Sequence, residues 1–493
     1  MRRTIGGAAW LALLFAVLVG PFALAGRRFL VFAASRTRTI NSLSVPPKGQ
    51  DPRLDGAYRF EKNGWIYVHL QGSPADIGFQ HGYLLAPEIA DAFRAVKLED
   101  VHATGKRWAF FRQAARRMLW PKIDPEYQAE LKGIVEGLHA RGISLDLDDI
   151  VALNAFQELP DYYVPWYDAR HEESALQPNP ERFEHCSAFI ATGDYTLHHD
   201  IVMGHNNWAG YADGERWRII FDIVPEHGYR ILMDGFPGVI TSDDDFGINS
   251  AGLMVTETTI ADFFGWNPSG IPEFERSRKA LQYANSIGDY VRILNQGNNG
   301  GYANDWLIGD WRTGEIARFE EGLTHWHLWR KKSGYFVGAN FPSDPQVMAD
   351  ETTFNPNNPA SSENARHLRW KQLMRQYKGK IDITLAQKFE ADDYDAYLKR
   401  IDPDQRTLDG FLDHDSRGPA YDEPFGATQA KVTDSEMAAH MSFLAHLGHA
   451  GGETFYAAPF LAAHPQFDWE KSFLRNMPAY PWTPFDSGER ASP

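Results

Sequence analysis

"RFEHCSAFIATGDYTLHHDIVMGHNNW" (residues 182–208) holds the single cysteine of a 493-residue chain, Cys186, at the head of a short apolar run. The run "CSAFIA", the turn residues "TGDY" and a second apolar run ending in "GHNNW" predict a β-hairpin. In such a hairpin the end of the second strand lies beside the start of the first, so His205, Asn206 and Asn207 are expected near Cys186. A free cysteine is often a small buried hydrophobe. A thiolate is also a strong nucleophile once a base and oxyanion donors surround it. The residues by themselves leave both readings open. A lone cysteine makes no internal disulfide, so stability must come from burial.

Outward from the hairpin, the chain divides by texture. Residues 1–25 run from "MRR" through an apolar stretch to Ala-Leu-Ala, the pattern of an export signal, with residues 5–25 long enough to serve instead as a membrane anchor. The expected location is therefore outside the cytoplasm, periplasmic or secreted, with membrane association through this segment if it is retained. Residues 26–57 are polar and proline-bearing and read as a linker. Residues 58–185 are mainly helical: "GWIYVHLQG" (64–72) alternates as a strand, then Ser73 and Pro74 stand as cap and first-turn residues of a helix.

From residue 186 to 493, hairpin patterns such as "RWRIIFDIV-PEHG-YRILMDG" and "DWLIGDW-RTGE-IARFEEG" alternate with helical stretches at 272–296 and in "ENARHLRWKQLMRQY". The expected class is α+β, with antiparallel sheets covered by helices. A net charge of −16 without a long basic run excludes a polyanionic partner such as nucleic acid.

Familiar hydrolase signals are absent. "GINSAG" has one residue too many for a Gly-x-Ser-x-Gly elbow, and "HEESA" lacks the second histidine of a zinc motif. The group His198, His199, Asp200 and His205 suggests a metal-dependent esterase. Adjacent strand residues point to opposite faces, however, so no metal and no other cofactor is expected.

The motifs "HCSAFIA…MGHNNW" and "GFPGVITSDDDFGINSAGLMVTETTI" (235–260) resemble the phospholipase B-like proteins, as do "GGYANDWLIGDW" (300–311) and "GATQAKVTD" (426–434). "LQGSPADIGFQHGYLL" (70–85) and "YQAELKGIVEGL…ALNAFQEL" (127–159) resemble the related isopenicillin N acyltransferase-like cysteine hydrolases. Both groups are N-terminal-nucleophile (Ntn) hydrolases. The resemblance implies a four-layer αββα sandwich and self-cleavage between His185 and Cys186, with residues 58–185 released as a separate but associated chain.

It further implies that Cys186 is the nucleophile, that Asn340 in "VGANFP" donates to the oxyanion, and that His205, with Asn207 beside it, orients the reacting groups. Trp208, Thr258, Thr259 and Asn304 are expected to line the pocket. Where acyltransferase-like relatives place an aspartate, this chain has Trp208, so the phospholipase B-like pattern fits better. The implied activity is hydrolysis of an acyl bond in a small acylated substrate, an N-acyl amide or a lipid ester, through a Cys186 thioester. Acyl transfer to an acceptor other than water, and an exported binding protein with a silent site, are the alternatives.

Overall fold

The computed structural model describes residues 51–171, 186–243, 246–410 and 423–490. The expected export segment, most of the expected linker and His185 lie outside these residues. The described residues all belong to one compact unit. Among the described residues no helix is long and apolar enough to cross a membrane.

Local signals in the sequence are realised closely at the start of the body. Strand β2 (Trp65–Gly72) pairs with β1 (Tyr58–Lys62) and ends at Ser73. The Ser73 side chain accepts from the Asp76 backbone and Asp76 bonds back to Ser73, a capping box that opens the helix Pro74–Leu84. That helix lies directly on the helix Pro125–Ala140. A Cβ at Gly78 or Gly82 would overlap the carbonyls of Glu130 or Ile134, and one at Gly137 would overlap the carbonyl of Phe79. Backbone-to-backbone contact at these points requires glycine.

Two sheets follow. The first has nine strands in the order β1, β2, β5 (Ile219–Pro225), β6 (Ile231–Gly235), β7 (Gly247–Asn249), β8 (Leu253–Thr256), β9 (Asn304–Asp310), β10 (Glu315–Glu321) and β11 (Trp326–Lys331). The second has six, in the order β12 (Gly334–Gly338), β3 (Ser187–Thr192), β4 (Val202–Gly210), β15 (Phe425–Asp434), β16 (Ser442–Leu447) and β17 (Thr483–Asp486). A small hairpin, β13 (Tyr394–Asp395) with β14 (Arg400–Ile401), stands apart. All pairings in the two large sheets are antiparallel except β2 with β5. This departs from the expected all-antiparallel sheets. The two strands are joined by a long connection that includes helices and the β3–β4 hairpin of the other sheet, which lets the chain return in the same direction.

Three cores define four layers. Ile190, Met203, Ile220, Leu232, Met254, Leu307 and Phe443 interleave between the two sheets. The helices of the first third, with Glu273–Tyr283 and Ile287–Leu294, cover the outer face of the nine-stranded sheet through residues such as Ile89, Ile134, Phe221 and Val255. Helices Ser362–Gln376 and Ile383–Glu390 cover the six-stranded sheet through Trp370, Leu373 and Phe389 against Phe189 and Val202. The architecture is the αββα sandwich that the resemblance implied.

The segments on either side of residue 185 are built into the same layers. β1 and β2 complete the nine-stranded sheet alongside β5, and the C-terminal strand is pinned to them. Tyr67 donates to the Asp486 carbonyl at 2.9 Å, Asn63 to Thr483 at 2.9 Å, and Lys62 pairs with Glu489 at 2.5 Å.

Candidate active site between the sheets

The β3–β4 hairpin has the register Ser187 with Asn206 and Ala188 with His205. One step further places Cys186 opposite Asn207. Alternation then decides which side chains meet. Ala188 and Ile190 on β3, and Ile201 and Met203 beside and on β4, face the inter-sheet core. Cys186, His205 and Asn207 share that parity and point between the sheets. Phe189, Ala191 and Val202 face the helices.

Cys186 is 3% exposed, and its thiol donates to Asn207 Oδ1 at 3.6 Å. The Cys186 sulfur, a His205 ring nitrogen and a Glu257 carboxylate oxygen all lie within 4.8 Å of one another, and all three residues are buried. Glu257 enters from the opposite sheet, just past the end of β8. Tyr302 donates to its Oε1 at 3.1 Å. Asn304, with its amide nitrogen turned toward the acid, donates to Oε2 at 2.8 Å. A thiol, an imidazole and an oriented carboxylate in mutual reach can generate a thiolate and hold the resulting imidazolium.

Asn340 follows β12, two residues past Gly338, which pairs with Ala188. It therefore comes alongside Cys186. Its backbone is left-handed, with φ 58°, a conformation asparagine tolerates better than most residues. The amide is held at both ends: Nδ2 donates to the Thr259 carbonyl at 2.8 Å, and Oδ1 accepts from Arg366 at 2.9 Å. The second hydrogen on Nδ2 is thus directed by the framework.

Thr258 exchanges backbone hydrogen bonds with Asp305. Its side chain occupies the space a Cβ at Gly338 would need, so the two sheets approach closely here. Thr258, Thr259 and Asn304 are all 0–1% exposed; Thr258 meets Gly338 and Thr259 meets Asn340 across the two sheets, and Asn304 bonds Glu257.

Arg366, which the sequence reading did not single out, ties this arrangement together from the outer helix Ser362–Gln376. It is fully buried. Nη1 donates to the Cys186 carbonyl at 2.5 Å and to Ser187 Oγ at 3.3 Å, and Nε donates to Ser362 Oγ at 2.9 Å. Its guanidinium carbon lies 4.8 Å from the centre of the Trp208 ring. Trp208 is on the helix-facing side of β4, opposite in parity to His205 and Asn207, and meets the site through Arg366.

On the neighbouring strand β15, Lys431 stands in register with His205 and forms a fully buried ion pair with Asp234 of the other sheet at 2.9 Å. Ser242 donates to the second Asp234 oxygen at 2.8 Å. The histidines of the alternative metal group are not brought together. His198 and His199 are exposed in the β3–β4 turn, at the far end of the hairpin from buried His205. Among the described residues, Cys186, His205 and Glu257 are the set spaced to hold a metal ion.

This chemistry defines a class: an αββα sandwich with a thiol-centred polar site between its sheets. Residues 104–329 match the Phospholipase B family model. The chain is 24% identical to phospholipase B-like 1 of Bos taurus over 350 residues, 61% of this chain and 62% of that protein. It is 29% identical to phospholipase B-like protein C of Dictyostelium discoideum over 185 residues, 34% of this chain and 32% of the relative. An uncharacterized protein of Archaeoglobus fulgidus is 24% identical over 272 residues, 50% of this chain and 42% of that one.

The matches thus span less than two thirds of these relatives' own lengths. Among solved structures, a mutant of conjugated bile acid hydrolase from Clostridium perfringens aligns over 52% of this chain and 88% of its own, at 12% identity and a TM-score of 0.32. The likeness to phospholipase B-like proteins that the motifs implied is thus present in the chain.

Proposed function

We propose that the protein is a self-processing acyl hydrolase of the N-terminal-nucleophile type, with Cys186 as its nucleophile. The observation that carries this reading is the convergence of Cys186, His205, Glu257 and Asn340 in one buried layer, from strands of both sheets.

Maturation starts with the Cys186 sulfur. Its thiol proton passes to a base, and the thiolate attacks the carbonyl carbon of His185. The C–N bond to Cys186 breaks, the amine takes up a proton, and residues up to His185 are left as a thioester. Water opens that thioester. The freed α-amino group of Cys186 then becomes available as a base, with a typical pKa of about 7.7–8.0.

In each later turnover Cys186 attacks the acyl carbonyl of the substrate, the leaving amine or alcohol departs protonated, and water hydrolyses the acyl-thioester. His205 and Glu257 accept and stabilise the proton taken from sulfur. Asn340 Nδ2 donates to the tetrahedral oxyanion, a contribution typically worth about 3 kcal/mol of barrier. Arg366 positions both partners by gripping the Cys186 carbonyl and the Asn340 amide oxygen.

The substrate is a small acylated molecule. The names of the relatives favour a phospholipid acyl ester, and a linear N-acyl amide suits the same chemistry. We place the enzyme outside the cytoplasm, directed there by residues 1–25. Its test is to offer wild type and Cys186→Ala a mixture of phospholipids and N-acyl amides and to look for an acyl adduct by peptide mass mapping. The adduct should sit on Cys186, be released by hydroxylamine and be missing from the variant. An acyl group released equally by both proteins would refute the assignment.

A further inference from the structure

Cys186, His205 and Glu257 make up a donor set of thiolate sulfur, imidazole nitrogen and carboxylate oxygen, all within 4.8 Å of one another. We propose that these three side chains form a zinc site that masks the nucleophile when the metal is bound. The donor types are those of three-ligand zinc centres that leave a fourth position open. Zinc–sulfur and zinc–nitrogen bonds of about 2.3 and 2.1 Å would set the donors roughly 3.5 Å apart, so closing the site requires side-chain movements of about 1 Å.

Charge favours the assignment. A bare divalent cation is costly to bury, but a thiolate and a carboxylate together cancel its two positive charges. Glu257 also has the outer support a ligating acid needs: Tyr302 donates to one oxygen at 3.1 Å and Asn304 to the other at 2.8 Å. The Asn207 amide oxygen, 3.6 Å from the sulfur, or a water completes the tetrahedron. On binding, the thiol proton is released to solvent and a zinc–sulfur bond forms, with no change of oxidation state.

Masking rests on the functional reading above, because it matters only if Cys186 is the nucleophile; metal binding does not. A zinc-bound sulfur has its lone pair engaged and is removed from attack. It is also shielded from oxidation, a hazard for any thiol outside the cytoplasm.

The test uses the full chain, stripped with a chelator and loaded with Zn²⁺ or Co²⁺. The expected results are one metal ion per chain, a thiolate-to-cobalt charge-transfer band, and slowed alkylation of Cys186 that chelation restores. In Cys186→Ala the band should vanish and zinc affinity should fall at least tenfold; Glu257→Gln should also lose affinity at unchanged melting temperature. Cobalt bound without the band, or zinc affinity equal in wild type and Cys186→Ala, would overturn the proposal. If the band appears while acyl transfer and self-cleavage fail, the metal site stands and the hydrolase reading falls. If both reactions proceed at the same rate with saturating zinc, masking falls.

Discussion

The backbone carbonyl of Cys186 accepts a 2.5 Å hydrogen bond from Arg366, a residue 180 positions later in the chain. The same guanidinium binds the Asn340 amide oxygen, so one buried side chain sets the spacing between the candidate nucleophile and the proposed oxyanion donor. Lysine lacks the planar fork that makes these contacts together. Arg366→Lys is expected to lower kcat at least tenfold with a small change in KM. Arg366→Ala should also lower stability by about 3 kcal/mol, because it strands several buried acceptors. Steady-state kinetics and thermal melting of both variants check this.

Asn340→Asp keeps the shape, tolerates the left-handed backbone and gives Arg366 a charged partner, yet removes the amide donor. The expected outcome is a folded protein with kcat reduced about 10²–10³-fold. Retained kcat would remove Asn340 from the oxyanion site.

Glu257→Gln can still bond Tyr302 and Asn304 but carries no charge to stabilise a protonated His205. A rate loss of about 10² or more is expected. The melting temperature should stay within a few degrees of wild type. A large drop in melting temperature with normal turnover would make Glu257 a structural residue.

Stability should fall as pH rises. Glu390 is completely buried beneath Gly204, with neither carboxylate oxygen hydrogen-bonded among the described residues, and burial raises its pKa well above 4.5. Burial pushes Asp409 up to about 8, and burial with repulsion from Glu423 and Asp213 pushes Glu470 up to about 9. A carboxyl with a raised folded pKa gives most stability below its unfolded value and loses it as pH climbs through the folded value. Buried His81, lowered to about 3, opposes this trend below about 6.5, where its unfolded form takes up a proton. Glu470→Gln and Glu390→Gln should therefore raise the melting temperature at pH 8 and leave it nearly unchanged at pH 4. Equal effects at both pH values would contradict the assignment.

Much of this was legible in the sequence. The hairpin around Cys186 followed from apolar runs flanking "TGDY", and its register brought His205 and Asn207 to the cysteine because pairing within a hairpin is local. The helix cap at Ser73 and the β5–β6 and β9–β10 hairpins were read for the same reason. The parallel pairing of β2 with β5 was not, since nothing local records which distant strand lies alongside. Arg366 and Glu257 escaped because their partners come from other layers. Each nonetheless left a trace: Arg366 sits in the buried stripe with Trp370 and Leu373, and Glu257 is a charged residue inside the continuous buried run from Leu253 to Ile260. A charge placed where periodicity demands an apolar residue is the signal that would have marked both.

The most direct test of the central claim is the intact mass of the purified wild-type chain and of Cys186→Ala under denaturing conditions. The account predicts that wild type resolves into two chains, the second beginning at Cys186, while native gel filtration keeps them together through the β2–β5 pairing and the Tyr67–Asp486 contact. Cys186→Ala should remain one chain. A wild type that stays intact after prolonged incubation at mildly acidic and neutral pH, or a Cys186→Ala that divides at the same bond, would contradict it.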